Sequence, residues 1–323
     1  MIEINNLNHT YSDGHIGVKD INLKIEDGDI YGFVGPNGAG KSTTIKSIVG
    51  ILPFTSGTIL VNGIDVKRES LKTKSLMAYI PDNPDLYDGL TGAQYINFIA
   101  DVYNVEGPRE ELIKKYSELF GISNDLGKMI KAYSHGMRQK LAIIAALVHK
   151  PRVLIMDEPF VGLDPQATFE VKNILKELAA DGCSIFFSSH VLEVVEKLCN
   201  KVAIIDHSLV VEEGNIYDVF LSPQTKIAKK LIYSNHLATK LDEEKMIKLK
   251  FNGEVNKPLI SNIVQDCGII LSIEFAETRI IEGKMYGQIV FNLPYYDNDI
   301  LKLKRYLDLN NVNYEEVNRS ELE

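Results

Sequence analysis

The chain has 323 residues, 45% of them hydrophobic and 24% charged, with a formal net charge of −9. Single cores stop growing at about 250 to 300 residues, so this is an ordinary α/β composition with room for two domains. The acidic balance gives no basic footprint for nucleic acid, and Cys183, Cys199 and Cys267 have no C-x-x-C spacing that would hold zinc.

The cysteines read instead as small buried side chains. The longest apolar run, Leu141 to Val148, falls short of the roughly 20 residues that span a bilayer. Met1 to Thr10 lacks the basic start and apolar core of a signal peptide. A cytoplasmic protein that meets membranes only through a partner is the expectation.

Ile2, Ile4 and Leu7, then Val18, Ile21, Leu23 and Ile25, form short alternating runs of the kind found in an antiparallel edge sheet. Tyr11 lies between them and reads as a packed or half-exposed aromatic. Ile30 to Val34 is a continuous apolar run, hence a buried strand, and Ser42 to Val49 opens a helix. The stretch between them, Gly35-Pro36-Asn37-Gly38-Ala39-Gly40-Lys41-Ser42-Thr43, fits G-x-x-x-x-G-K-[ST]. This is a phosphate-binding loop in the strand-to-helix setting that the motif needs. Its glycines turn backbone N–H groups onto phosphate oxygens, and the helix directs its positive dipole end at the same place. Lys41 adds a mobile positive charge for the β- and γ-phosphates, and Ser42 a hydroxyl for Mg²⁺.

Ser56 to Ile64 reads as a hairpin turning at Asn62-Gly63. Leu76 to Ile80 is a strand that ends in the loop Pro81-Asp82-Asn83-Pro84. Thr91 to Leu147 is helical, with Tyr95, Phe98, Ile99 and Val102 on one face, followed by Leu112, Tyr116 and Leu119. Within it, Ser134 reads as a helix cap. The same helix start, with Gly136, also suits a γ-phosphate. Val153 to Met156 is an apolar strand ending in Asp157 and Glu158. Asp157 is placed to hold Mg²⁺ as a Walker-B carboxylate does, and Glu158 to orient or deprotonate an attacking water. Val171 to Leu178 is a helix and Ser184 to Phe187 a buried strand, followed at once by Ser188-Ser189-His190. His190 could bond a γ-phosphate or fill a cleft. Val202 to Asp206 and Leu209 to Val211 add strands. Strands alternating with helices, with polar residues at the strand ends, indicate a mainly parallel sheet.

Residues 221–244 lack a sustained apolar period and read as a linker. A second pattern follows. Met246 to Phe251 alternates, Ile260, Ile263, Val264 and Cys267 have helical spacing, and Leu271 to Phe275 and Met285 to Leu293 alternate again. Ile300, Leu303 and Leu307 mark another helix, and Val312 to Val317 a last strand. The order βαββαβ is that of a ferredoxin-like module.

The ordered set Gly35 to Thr43, Ser134 to Gln139, Val153 to Pro159, Gly162-Leu163-Asp164 and His190 closely resembles the ATP-binding-cassette ATPases over residues 1 to 220. The resemblance implies a P-loop NTPase cassette of α/β class with a helical subdomain at about 85–150. A small ferredoxin-like α+β domain at 245–323 would follow. It also implies a homodimer that sandwiches two ATP molecules. Lys41, Ser42, Thr43, Asp157, Glu158 and His190 would act in cis and Ser134 and Gly136 in trans. Asp164 would cross the seam and Tyr11 would stack on adenine. Two departures stand out. The usual Leu-Ser-Gly-Gly-Gln signature is here Tyr133-Ser134-His135-Gly136-Met137, and the glutamine that usually contacts the metal is replaced by Asp82, which the resemblance leaves as a third metal candidate beside Ser42 and Asp157 or as a coupling point to a transmembrane partner.

The cassette is similar to the branch serving drug and bacteriocin exporters, whereas the C-terminal module resembles the NIL domain of methionine-importer ATPases. The resemblance therefore implies an ATP- and Mg²⁺-dependent motor at the cytoplasmic face of the membrane, bound to permease subunits. A methionine-like ligand would sit on the C-terminal module. Import is the leading expectation, with an export ATPase, or a soluble cassette uncoupled from transport, as the alternatives.

Overall fold

The computed structural model describes residues 1–233, 245–252, 259–281, 284–294 and 296–318. They fall into two compact units, Met1–Glu213 and Gly214–Glu323. Among the described residues no helix is long and apolar enough to cross a membrane.

The first unit opens with β1 (Ile2–Thr10), β2 (Ile16–Ile25), β3 (Ile30–Val34), α1 (Lys41–Ile48), β4 (Ser56–Val61), β5 (Ile64–Asp65), α2 (Ser70–Leu76) and β6 (Met77–Ile80). Helices α3 (Gly92–Val102), α4 (Arg109–Leu119) and α5 (His135–Val148) follow, then β7 (Val153–Asp157), α6 (Pro165–Ala180), β8 (Ser184–Ser189), α7 (Leu192–Leu198), β9 (Lys201–Asp206) and β10 (Leu209–Asn215).

A four-stranded sheet in the order β2-β1-β4-β5 carries the N-terminal strands, paired antiparallel. The apolar spacing along β1 changes from two to three between Ile4 and Leu7. The register shifts there, and Asn6 takes a φ of 50°. Asp20 on β2 has the same φ, and Asn6 Nδ2 donates to Asp20 Oδ1 at 2.7 Å. These facing irregularities return Leu7 and Ile21 to the buried side.

The second sheet runs β10-β9-β3-β8-β7-β6. Strands β9, β3, β8, β7 and β6 are mutually parallel. Every residue of β3, β7 and β8 is buried, as expected of strands covered on both faces. The register sets Val34 beside Ser189 and Asp157 beside Ser188. The phosphate loop, the two carboxylates and His190 therefore leave the sheet at one edge, the carboxyl ends of its strands.

Helix α3 starts in a capping box formed by Thr91 and Gln94. It buries only part of the face expected from the sequence. Gly92, Ile96 and Ala100 are buried, whereas Phe98 is 43% and Val102 57% exposed. The helix packs on α5, where Ala142, Ala145 and Ala146 present small side chains. Tyr95 and Ile99, both half-buried, line a cavity with those alanines, so only Phe98 and Val102 of the expected face turn to the outside.

The second unit contains α8 (Ile216–Leu221), α9 (Lys226–Tyr233), β11 (Lys245–Asn252), α10 (Leu259–Cys267), β12 (Ile273–Ile281), β13 (Lys284–Asn292), α11 (Asp297–Leu309) and β14 (Asn313–Asn318). Helix α9 lies within the stretch read as a linker, and Ala228 and Ile232 are its buried positions, four apart. Residues 234–244 of that stretch lie outside the described residues. The sheet order β12-β13-β11-β14, antiparallel throughout, is that of a ferredoxin-like βαββαβ module. Ile247, Leu249 and Phe291 of the strands pack with Ile263, Leu303 and Leu307 of the helices.

Candidate active site

The loop between β3 and α1 is built for close approach. Gly40 has a φ of 112°, and a Cβ there would stand 2.5 Å from the Gly17 carbonyl oxygen, so only glycine fits. It is also the N-cap of α1 and makes no side-chain cap bond. The first N–H groups of the helix thus remain for an anion. Lys41 is buried, and its Nζ donates to the carbonyl oxygens of Gly35 at 2.6 Å and Pro36 at 3.1 Å. Burial pushes its ammonium below the usual lysine range, partly offset by Glu158 and Asp157. Ser42 is exposed at the helix start.

Asp157 closes β7 and is 1% exposed, with its Oδ1 accepting from Ser188 Oγ at 2.5 Å. Glu158 follows with a φ of 47°. Its Oε2 lies 2.9 Å from His190 Nδ1 and accepts the His190 N–H at 3.3 Å, while its Oε1 is 3.9 Å from Lys41 Nζ. The structure therefore draws Lys41, Glu158 and His190 into one polar row, with Asp157 beside it. Chemically, the row can hold phosphate oxygens on Lys41 and accept a proton on Glu158. Asp157 and Ser42 offer two hard oxygen donors, which suits Mg²⁺, an ion that is usually held by one or two protein oxygens besides phosphate and water.

Tyr11 is tied to the phosphate loop, whereas Ser134, Asp164 and Asp82 make contacts of their own. The Tyr11 hydroxyl is 2.9 Å from Thr43 Oγ1, and its ring meets His9 edge-on with centroids 4.5 Å apart. Ser134 caps α5, its Oγ accepting the Met137 N–H at 3.3 Å. Asp164 caps α6 through the Ala167 N–H at 2.7 Å and takes Lys140 Nζ at 2.7 Å. The Lys140 bond, then the cap, hold its carboxyl below the usual range. Gln139 Nε2 donates to the Pro159 carbonyl oxygen at 3.3 Å, a second tie from α5 to this segment. Asp82 is exposed, and its Oδ1 accepts the Asn83 N–H at 2.9 Å. Sequence reasoning gave no role to Ser188, although a serine directly after the apolar run Ile185 to Phe187, two residues before His190, was the available signal.

Comparison with known proteins decides the family. Residues 18–161 match the ABC transporter family and residues 245–316 the NIL domain. The methionine import ATP-binding protein MetN of Carboxydothermus hydrogenoformans is 30% identical over 340 aligned positions, covering 98% of this chain and 100% of that protein. The chain belongs to the ATP-binding-cassette transporter ATPases.

Some relatives match the cassette part alone. The linearmycin resistance ATP-binding protein LnrL of Bacillus subtilis is 36% identical over 220 positions, 68% of this chain and 70% of that protein. Among solved structures, an ATP-binding subunit of an ABC transporter shares 29% identity and superposes with a TM-score of 0.67 over 72% of this chain and 97% of the other. The protein is thus an ATP-binding, ATP-hydrolysing cassette that serves a transporter and carries a NIL domain.

Proposed function

We propose that this cassette ATPase drives import of a small amino acid of the methionine kind, from the cytoplasmic face of the cell membrane and bound there to permease subunits. The observation that carries the reading is the end-to-end match to a methionine import ATPase, which includes the NIL domain. The apolar residues left exposed on the helical part, Tyr87, Phe98 and Val102, support a permease contact there. In this reading the C-terminal unit binds the amino acid and slows transport when it is plentiful.

Two copies would enclose two ATP molecules. Each nucleotide would lie on one copy's Gly35 to Thr43 loop, with the other copy's Ser134 and Gly136 closing on its γ-phosphate. Lys41 then exchanges its loop carbonyls for phosphate oxygens. Glu158 takes a proton from the attacking water, and His190 keeps the carboxylate aimed. Mg²⁺, held by Ser42 and Asp157, would neutralise charge between the phosphates. Asp82, whose carboxylate turns to its own loop, is reserved for contact with the permease.

The test is reconstitution with the permease in vesicles. ATP-driven uptake of labelled methionine supports the reading, and heat on adding methionine to the full chain supports sensing. Outward movement of cargo would favour the export reading, which rests on the higher identity to LnrL within the cassette.

A further inference from the structure

Ser188 is fully buried at the end of β8, opposite Asp157 in the parallel register. One hydroxyl offers one donor and two acceptor positions, and Ser188 uses both kinds. Its O–H donates to Asp157 Oδ1 at 2.5 Å, and its Oγ accepts the Glu158 N–H at 3.0 Å. It is therefore the atom shared by two successive carboxylate residues, one through the side chain and the other through the backbone.

Glu158 needs such a hold. Its φ of 47° lies in the left-handed region, which side chains other than glycine, asparagine and aspartate rarely adopt and which persists only where the surroundings over-determine it. This turn ends β7 and brings the carboxylate to His190 and Lys41. The end of β8 thus grips Glu158 at both ends, with Ser188 on the peptide N–H and His190 on the carboxylate.

We propose that Ser188 is a positioning residue for ATP hydrolysis. It locks the left-handed turn at Glu158 and fixes the Asp157 carboxylate, and so sets where the proton-accepting oxygen stands. The proposal rests on Glu158 being the base.

The full chain carrying S188A, S188T or S188C tests it, each variant first shown by thermal unfolding to be folded. Loss of a buried hydrogen bond to a charged group predicts that S188A lowers kcat about tenfold to a hundredfold. KM for ATP should move less than kcat, because the phosphate loop itself is untouched and only the Asp157 side of the metal site loosens. S188T keeps the hydroxyl and should recover most of the rate. Hydrogen exchange at the Glu158 amide in the nucleotide-free chain gives a readout that needs no turnover. It should quicken in S188A and stay protected in S188T. If S188A does not fold, S188C, nearly the same size but a weak hydrogen-bonding partner, is judged by the same measurements. Wild-type kcat in S188A, a KM that rises in step with the loss, or unchanged protection of the Glu158 amide overturns the proposal. E158Q separates the two readings. Turnover surviving in E158Q removes Glu158 as the base, whereas a dead E158Q beside a normal S188A removes only the role of Ser188.

Discussion

The His135 imidazole lies against Gly162, so that a Cβ on that glycine would meet His135 Nε2 at 2.9 Å and overlap Cδ2. Gly162 also has a φ of 80°. The histidine that replaces a signature glycine is thus seated on the loop leading to Asp164. Gly162→Ala should suffer twice, from the collision and from about 1 kcal/mol of backbone strain. Steady-state ATPase assays should show a marked loss of kcat in Gly162→Ala. The double variant with His135→Gly, which removes the collision but not the strain, should recover part of it. Equal losses in the single and double variants would show that the two residues act separately.

The Glu158 carboxylate stands between Lys41 and His190. Glu158→Gln keeps the shape and the bond to His190 while removing the basic oxygen. ATP binding should persist, and turnover should fall by about a hundredfold or more, within the range of general-base contributions. Lys41→Ala should do the opposite first, weakening nucleotide binding, since the loop loses its mobile charge. Equilibrium binding of a fluorescent ATP analogue, measured beside phosphate release, distinguishes the two. A Glu158→Gln protein with wild-type phosphate release would remove that residue as the base.

Tyr11 is tied to the loop helix through Thr43. If its ring carries adenine, Tyr11→Phe should keep nucleotide affinity within about threefold, whereas Tyr11→Ala should weaken it about tenfold, as expected for loss of one stacked aromatic. Titration with ADP measures both. Equal, small effects would leave Tyr11 as a support for Thr43 alone.

The placement of Asp157, Glu158 and His190 at strand ends was legible because each follows a buried apolar run, and Lys41 because its loop carries a spaced motif, whereas their roles are not fixed by that placement. The ferredoxin-like order was legible because period two and period 3.6 alternate cleanly there. What escaped depended on partners distant in sequence. The exposure of Phe98 and Val102 follows from where α5 packs on α3, which the helix's own pattern does not state. Helix α9 shows only two buried positions four apart, too short a pattern to separate from a linker. Ser188 looked like one of two equivalent serines until the register set it against Asp157, while Ser189 serves the Val191 N–H instead.

Lys248 should make the C-terminal unit sensitive to pH. It is 3% exposed on β11, with Glu315 Oε1 at 3.7 Å. Burial first, and Lys250 second, push its ammonium down to about 8, against the pull of Glu315. A lysine whose folded pKa lies below its unfolded value, about 10.4, binds fewer protons when folded between those two values. Stability should therefore rise as pH climbs from about 8 toward 10, and below 8 the unit carries the full cost of a buried charge. Lys248→Met removes that charge and should flatten the slope while raising stability at pH 7, by about 1 to 3 kcal/mol. Calorimetric unfolding of the full chain between pH 7 and 9.5 compares the two proteins. Identical slopes would show that Lys248 keeps its proton through the folded state's own range, held there by Glu315.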